Sequence, residues 1–526
     1  MSAVADSVRD QRRNDLPPRW VKVLDQARCI GCHACTTACK SENEVPLGVT
    51  RTYVKSVDVG TFPQVRRAFQ VTRCNQCEDA PCVAACPTQA MFRRPDGIVD
   101  FDKSICIGCK ACMAACPYDA IFINPEDHSA EKCNFCAHRL EVGLEPACVT
   151  VCPTEAILVG DLNDPDAKVA GMVQREAVSV RRPEKETRPG VFYKGAHQDT
   201  LDPLGATRPD GGLYAWATQG GEETMASEHV AAGYPHEPRS GRHNSSAAAI
   251  VSYDIPHHVP WGWPVSLYTW TKSIAAGAFL LPVVLVLAGY ASWASPLARF
   301  AAPSVALAFL GATGLVLIGD LTHPLRFHLI FTRHHLRSWL VKGALIIGAY
   351  GAALVAYLLA GIAGSTIAQE VTAGFALPLS VMCASYTAYL FAQATARDLW
   401  QSPLLAPHLA VQAALVGSAA MLPVAIGLGP ATATSALRVV LAGAAAGHLL
   451  LVYGEVSVAH PSAHAHLAVS QMTRGRFAPF FWTGVVLVLV AVGAPWLGVA
   501  TVPLALVGLA AHEHAYVQAG QAVPLA

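Results

Sequence analysis

Sixteen of the chain's 17 cysteines fall between Cys29 and Cys152, in four runs of four. The runs are Cys29-Cys32-Cys35-Cys39, Cys74-Cys77-Cys82-Cys86, Cys106-Cys109-Cys112-Cys116 and Cys133-Cys136-Cys148-Cys152. Two of them have the spacing Cys-x2-Cys-x2-Cys-x3-Cys, and three end in Cys-Pro. A disulfide framework suits a small secreted domain, but no signal-like stretch precedes these cysteines, and such frameworks seldom repeat this spacing. Zinc ribbons use Cys-x2-Cys pairs rather than triplets followed by x3-Cys-Pro. Cys383, alone in an apolar stretch, reads as a small buried hydrophobe.

The remaining reading is the one the spacing matches. Bacterial ferredoxins hold 4Fe–4S clusters on this run, the fourth cysteine of one run ligating the other run's cluster. Three cysteines two residues apart curl a loop around one corner of a cubane, and the fourth ligand must come from elsewhere. Sixteen thiolates at four per cluster give four 4Fe–4S clusters. The runs also repeat: Asp25 to Cys39 and Asp102 to Cys116 both read D-x3-C-I-G-C-x-A-C-x2-A-C. Each Cys-Pro turn leads into an apolar segment, among them Ile121-Phe122-Ile123 and Ile157-Leu158-Val159, which predicts short strands. Clusters, rather than a large apolar core, organise so short a domain.

Charge divides the chain in two. Of 76 charged side chains only 15 follow Gly262, as expected of a polar head on a membrane body. Residues 1–20 form an expected flexible tail without an export signal, 21–160 the four-cluster domain, 161–261 an irregular Pro-, Gly- and His-rich extension and linker, and 262–526 the membrane domain. Eight apolar stretches follow Trp261: Ser266–Tyr290, Pro303–Leu321, Leu340–Ile362, Thr372–Ala396, Leu405–Leu428, Ser435–Val456, Phe480–Leu497 and Val499–Tyr516. With eight spans, Arg326, Arg333, Arg337, Arg397, Arg474 and Arg476 share the head's side, against Arg299 and Arg438 opposite. The positive-inside rule then places the head in the cytoplasm of a bacterial-type inner membrane. No basic excess points to nucleic acid.

The second run, Asn75-Gln76-Cys77-Glu78-Asp79-Ala80-Pro81-Cys82, and the long gap from Cys136 to Cys148 resemble the iron–sulfur subunits of molybdopterin oxidoreductases such as dimethyl sulfoxide reductase and polysulfide reductase. The resemblance implies an α+β ferredoxin-like domain of tandem dicluster units. It also implies a pairing: Cys29, Cys32 and Cys35 with Cys152; Cys133, Cys136 and Cys148 with Cys39; Cys74, Cys77 and Cys82 with Cys116; Cys106, Cys109 and Cys112 with Cys86. In such subunits the first-run cluster faces the catalytic subunit and the third-run cluster faces the membrane.

A second resemblance lies in Asp320-Leu321-Thr322-His323-Pro324-Leu325-Arg326-Phe327, followed by Ser338 and Lys342-Gly343-Ala344. This is similar to an element of NrfD-type anchors, haem-free, quinone-binding, all-α bundles of eight transmembrane helices. Tyr268-Thr269-Trp270, Ala275-Ala276-Gly277 and Ala519-Gly520-Gln521 resemble the same family's ends. Ionisable residues in such spans are costly to bury and are candidates by default. Asp320, His323 and Arg326, with Tyr268 and Lys272 one turn apart on the first helix, are candidates for a quinone site; structural pairing of Asp320 with Arg326, and snorkelling of Lys272, are the bland alternatives. His448 and Glu455, seven residues apart, are candidates for a proton path or a plain interhelical contact. His408 with His448 could ligate a haem, but the Asp320 element favours a haem-free body.

These features point to a membrane subunit of a quinone-linked oxidoreductase, without a catalytic residue of its own. It would pass electrons between a separate large catalytic subunit, by resemblance a molybdopterin enzyme, and menaquinone or ubiquinone. A cytoplasmic head favours an oxidation, of formate or sulfite, feeding the quinone pool. The alternatives are the same module serving a nickel–iron hydrogenase, or a redox-driven proton-translocating subunit.

Overall fold

A computed structural model describes residues 17–61, 63–207 and 249–526. Most of the expected tail and the stretch 208–248 of the expected linker lie outside the described residues. The chain forms two units, Met1–Pro260 with Pro524–Ala526, and Trp261–Val523.

In the first unit, β1 (Trp20–Asp25) is flanked by β8 (Ile157–Asp161), antiparallel, and β10 (Val191–Lys194), parallel; β9 (Val178–Ser179) completes the sheet. A second sheet joins β11 (Ala249–Tyr253) to the long hairpin of β2 (Thr52–Thr61) and β3 (Gln64–Arg73). Two small hairpins, β4 (Met91–Arg93) with β5 (Val99–Phe101) and β6 (Ile121–Ile123) with β7 (Ala130–Lys132), carry the remaining strands. The expected strands at Ile121 and Ile157 are present, and β4, β6 and β8 each follow a Cys-Pro turn.

The sequence repeat is a backbone repeat. Three residues past each Cys-Pro cysteine stands a left-handed residue: Gln89 (φ 60°), Asp119 (49°) and Glu155 (48°). In the paired x2-x2-x3 runs, Gly31 and Gly108 both have φ 70°, and His33 and Lys110 both have φ 60°. A left-handed backbone costs an L-residue roughly 1–2 kcal/mol, so recurrence at matched positions marks a turn imposed by what it encloses. At Gly31 a Cβ would also lie 2.2 Å from the Phe69 ring.

The second unit is helical: α1 (Trp263–Leu287), α2 (Ala302–Gly319), α3 (Trp339–Ile362), α4 (Thr366–Gln393), α5 (Leu405–Leu428), α6 (Ala431–Ser457), α7 (Ala463–Thr473), α8 (Ala478–Ala491) and α9 (Thr501–Gln521). Among the described residues seven helices are long and apolar enough to cross a membrane, or eight if α7 and α8, bent by 69°, make one broken span. That break corrects the expected seventh span. Gly475 lies in the break and Pro479 just past it, both ahead of the expected start at Phe480, and Leu497, expected at that span's end, belongs to the last span, Ala494–Gln521.

Helices α1 and α5 are the most buried, and they cross backbone to backbone. A Cβ at Gly277 would stand 1.9 Å from Ala413 O, and one at Gly417 would stand 2.4 Å from Gly277 Cα. With lipid as apolar as any side chain, such close packing of small residues is what holds helices together in a bilayer. Gly343 lets α3 approach Tyr386 in the same way, and Gly520 makes room for the Trp400 indole, itself stacked on Phe391 and Trp261.

Replacing Gly277 or Gly417 by Val overpacks this crossing. The expected cost is at least about 1–3 kcal/mol, read as a lower thermal midpoint of the detergent-purified protein, whereas Gly374→Ala, with open space around it in mid-helix, does not lower the midpoint. Equal midpoints for Gly277→Val and Gly374→Ala would refute the crossing.

Candidate functional site

In the first unit the cysteines gather in four places, each drawing one sulfur from another run. Cys86 lines a cavity with Cys106, Cys109 and Cys112. Cys116 stands in the electrostatic field of Cys74, Cys77 and Cys82. Cys39 does so with Cys133, Cys136 and Cys148. Cys29, Cys32 and Cys35 form the last gathering, with Cys152 beside Cys29.

Burial and mutual repulsion push Cys35 up to about 11, and Cys39, Cys77 and Cys116 up to about 12. Thiolates that repel one another in a dry interior are stable only around cationic metal. Cys148 is the exception. Burial would raise it, but the Arg73 guanidinium, 3.1 Å from its Sγ, and Lys22 Nζ, 3.7 Å away, hold it down to about 7. Both cations are buried, and among the described residues no carboxylate pairs with either. They demand a buried anion beside Cys148, which an anionic iron–sulfur core supplies. Backbone N–H groups of Met91, Ala130 and Ala156 donate to Cys86, Cys106 and Cys152 at 3.2–3.4 Å. The donor set fits iron–sulfur clusters.

One ion triad braces this unit. His257 sets Nδ1 2.5 Å from Asp119 Oδ2 and Nε2 3.2 Å from Asp254 Oδ1, so the strap after β11 is tied to the turn behind Cys116. Burial lowers the His257 pKa, but the two carboxylates outweigh it and raise it to about 9.

In the helical unit, Tyr268 and Lys272 turn inward from α1. Lys272 Nζ donates to Ala384 O at 2.6 Å and lies 4.9 Å over the Tyr386 ring. It is fully buried, so it does not snorkel. Asp320 ends α2 within electrostatic reach of Tyr268. His323 and Arg326 flank the short turn after it, both half-buried. His448 and Glu455 are buried on α6 and meet His408 of α5: His408 Nδ1 is 3.2 Å from Glu455 Oε1, and His408 Nε2 is 2.8 Å from His448 Nδ1. His512 of α9 packs its ring 4.7 Å from that of His448. Glu513 interacts with both Lys272 and His408, linking the two polar groups.

Sequence reasoning missed His512 and Glu513, although both interrupt an apolar stretch and the cost of burying them was the available signal. It also missed Lys22, Arg73 and His257. Their partners come from distant strands and turns, and nothing local announces them.

Fold and site define an iron–sulfur protein on a multi-pass helical membrane body. Residues 65–162 match the family model "4Fe-4S dicluster domain", and residues 253–497 match "Polysulphide reductase, NrfD". A tetrathionate reductase subunit of Salmonella typhimurium is 45% identical over 190 residues, 35% of this chain and 76% of the relative. A NrfC homolog of Haemophilus influenzae is 42% identical over 186 residues, 35% of this chain and 83% of the relative. A putative iron–sulfur subunit of dimethyl sulfoxide reductase from Halobacterium salinarum is 35% identical over 268 residues, covering 45% of this chain and 95% of the relative. The chain belongs to this family of electron-transfer iron–sulfur subunits of reductase complexes, with the NrfD-type membrane module fused to it in one polypeptide.

The His257 triad makes a pH prediction. A raised folded pKa contributes stability that is complete below the unfolded value near 6.5 and lost as pH rises through about 9. Thermal unfolding should therefore show wild type losing on the order of 2–3 kcal/mol between pH 6.5 and 9.5 that His257→Gln does not lose. Identical pH profiles would show that the triad carries no such linkage.

Proposed function

We propose that this chain conducts electrons through four 4Fe–4S clusters between a large molybdopterin-dependent catalytic subunit and a quinone bound in the helical body. The observation that carries this reading is the gathering of all sixteen cysteines into four groups that cross the runs. These groups support the ligand sets Cys29, Cys32, Cys35 and Cys152; Cys39, Cys133, Cys136 and Cys148; Cys74, Cys77, Cys82 and Cys116; and Cys86, Cys106, Cys109 and Cys112.

The clusters, when present, supply one-electron transfer. The chain's own residues bury most of the ligand cysteines, donate N–H groups to cysteine sulfurs, and set Arg73 and Lys22 against the cluster that includes Cys148. Those two cations favour the added electron there. In the body, Tyr268 and Lys272 supply donors suited to quinone carbonyls. Asp320 and Glu513 offer protons for the hydroquinone's oxygens. The 2.8 Å approach of His408 Nε2 to His448 Nδ1 supports a haem-free body, because two axial imidazoles stand on opposite faces of a macrocycle.

The arginine distribution supports a head on the cytoplasmic side of the inner membrane. The names of the relatives, tetrathionate and dimethyl sulfoxide reductases among them, support a partner acting on a small sulfur oxo-compound. Of the two oxidations the orientation favours, sulfite fits that company better than formate.

The test is to purify the native complex from membranes and assay quinone-dependent turnover. A large molybdenum-containing subunit should co-purify, with about sixteen irons per chain. Asp320→Asn and His323→Ala should each lower quinone turnover about a hundredfold while leaving the cluster signals in electron paramagnetic resonance intact. Absence of the large subunit sinks the proposal. Unchanged quinone kinetics in both variants moves the quinone site away from α2.

A further inference from the structure

The three histidines of the helical body belong neither to the cysteine groups nor to the quinone donors proposed at α1 and α2. His408, His448 and His512 come from three different helices, and one ring nitrogen from each lies within 4.8 Å of the other two. All three side chains are about 1% exposed. His512 Nδ1 is buried and has no hydrogen-bond partner among the described residues, and neither has Glu455 Oε2. An imidazole nitrogen left bare in an apolar interior costs roughly 1–3 kcal/mol, and a bare carboxylate oxygen more. A complete hydrogen-bond relay would leave no such atoms.

From this geometry we propose that His408, His448 and His512 form a site for one zinc or copper ion inside the membrane body. Neutral imidazole is the ligand these metals prefer among nitrogen and oxygen donors. Two nitrogens on one tetrahedral ion stand about 3.3 Å apart, given metal–nitrogen bonds of about 2.0–2.1 Å. His408 Nε2 and His448 Nδ1 lie 2.8 Å apart, so they need to separate by about half an ångström. The tautomers are consistent. Glu455 Oε1 accepts from His408 Nδ1–H at 3.2 Å, which fixes the proton on Nδ1 and frees the Nε2 lone pair. A carboxylate behind the far nitrogen of a histidine is the usual outer-shell partner of a metal ligand. His448 then carries its proton on Nε2 and presents Nδ1.

A divalent ion on three neutral imidazoles needs nearby negative charge in a low-dielectric body. Glu455 supplies one carboxylate directly behind His408. Three protein nitrogens leave the fourth tetrahedral position open for water or another small ligand.

The experiment is elemental analysis of the full-length chain, purified without chelator from cells supplied with zinc and copper, with iron measured in the same sample. The expected result is one zinc or copper per chain, the element telling which, with nitrogen rather than sulfur neighbours in X-ray absorption. His512→Ala and His448→Ala should reduce it to less than a tenth at unchanged iron. Because losing a buried histidine can also disturb the bundle, Glu455→Gln provides the second arm: the metal should bind about 10–100-fold more weakly with the thermal midpoint kept. Wild type that holds neither metal and takes up neither Zn2+ nor Cu2+ on dialysis overturns the site and leaves the histidines as a proton relay. Metal retained in all three variants, or ligated by sulfur, overturns it equally.

Discussion

Sulfur crowding governs the first unit. Sixteen thiols within about a hundred and twenty residues cannot be packed as hydrophobes, because their neighbours are one another. Burial and mutual repulsion raise the pKa values of Cys39 and Cys77, among others, so the gathered thiolates are unfavourable without a cation among them. Metal insertion and folding of this unit are therefore one process. The left-handed residues at matched repeat positions fit the same account. Gln89, Asp119 and Glu155 accept an awkward backbone because the turn they close must present N–H groups to a buried sulfur. The small sheets around them serve as frames: β1 brings Lys22 and β3 brings Arg73 to Cys148, the one cysteine whose pKa they hold down.

The helical body obeys the opposite economy. Its apolar residues face lipid and one another with little to choose between them, so specificity comes from small and polar residues. Gly277, Gly343, Gly417 and Gly520 each mark a place where another chain segment occupies the missing side chain's volume. The polar residues are sparse and concentrated inside, where Lys272, Glu513, His408, Glu455, His448 and His512 form one connected group. A bilayer interior tolerates such a group only when its charges and hydrogen bonds are met within the protein.

Much of this was legible in the chain itself, for uneven reasons. Cysteine spacing is local, so the runs, their repeat and the strands after Cys116 and Cys152 could be read directly. The Asp320 element was visible as a motif, and Gly277, Gly343 and Gly520 within the matching segments turn out to sit where another segment packs into the missing side chain's space. Lys272 left two readings open, and only the packing of α4 against α1 turns its side chain inward. The bend between α7 and α8 was hidden because the residues around Gly475 looked like an ordinary polar loop ahead of a span. His512 and Glu513 lie on a stretch chosen for its hydropathy, where an average conceals single ionisable residues. Arg73 and Lys22 were silent because a strand residue's partner is set by tertiary register, not by its neighbours.

The crossing of α1 and α5 has a mechanical meaning. At Gly277 and Gly417 the two backbones touch with nothing between them, while one turn away in either direction Ser273, Leu281, Ala413 and Met421 all carry side chains. Sliding either helix along its axis would drive a Cβ into the other's main chain. The helices on either side of this point are thus joined as if by a rivet, which fixes their register along both axes.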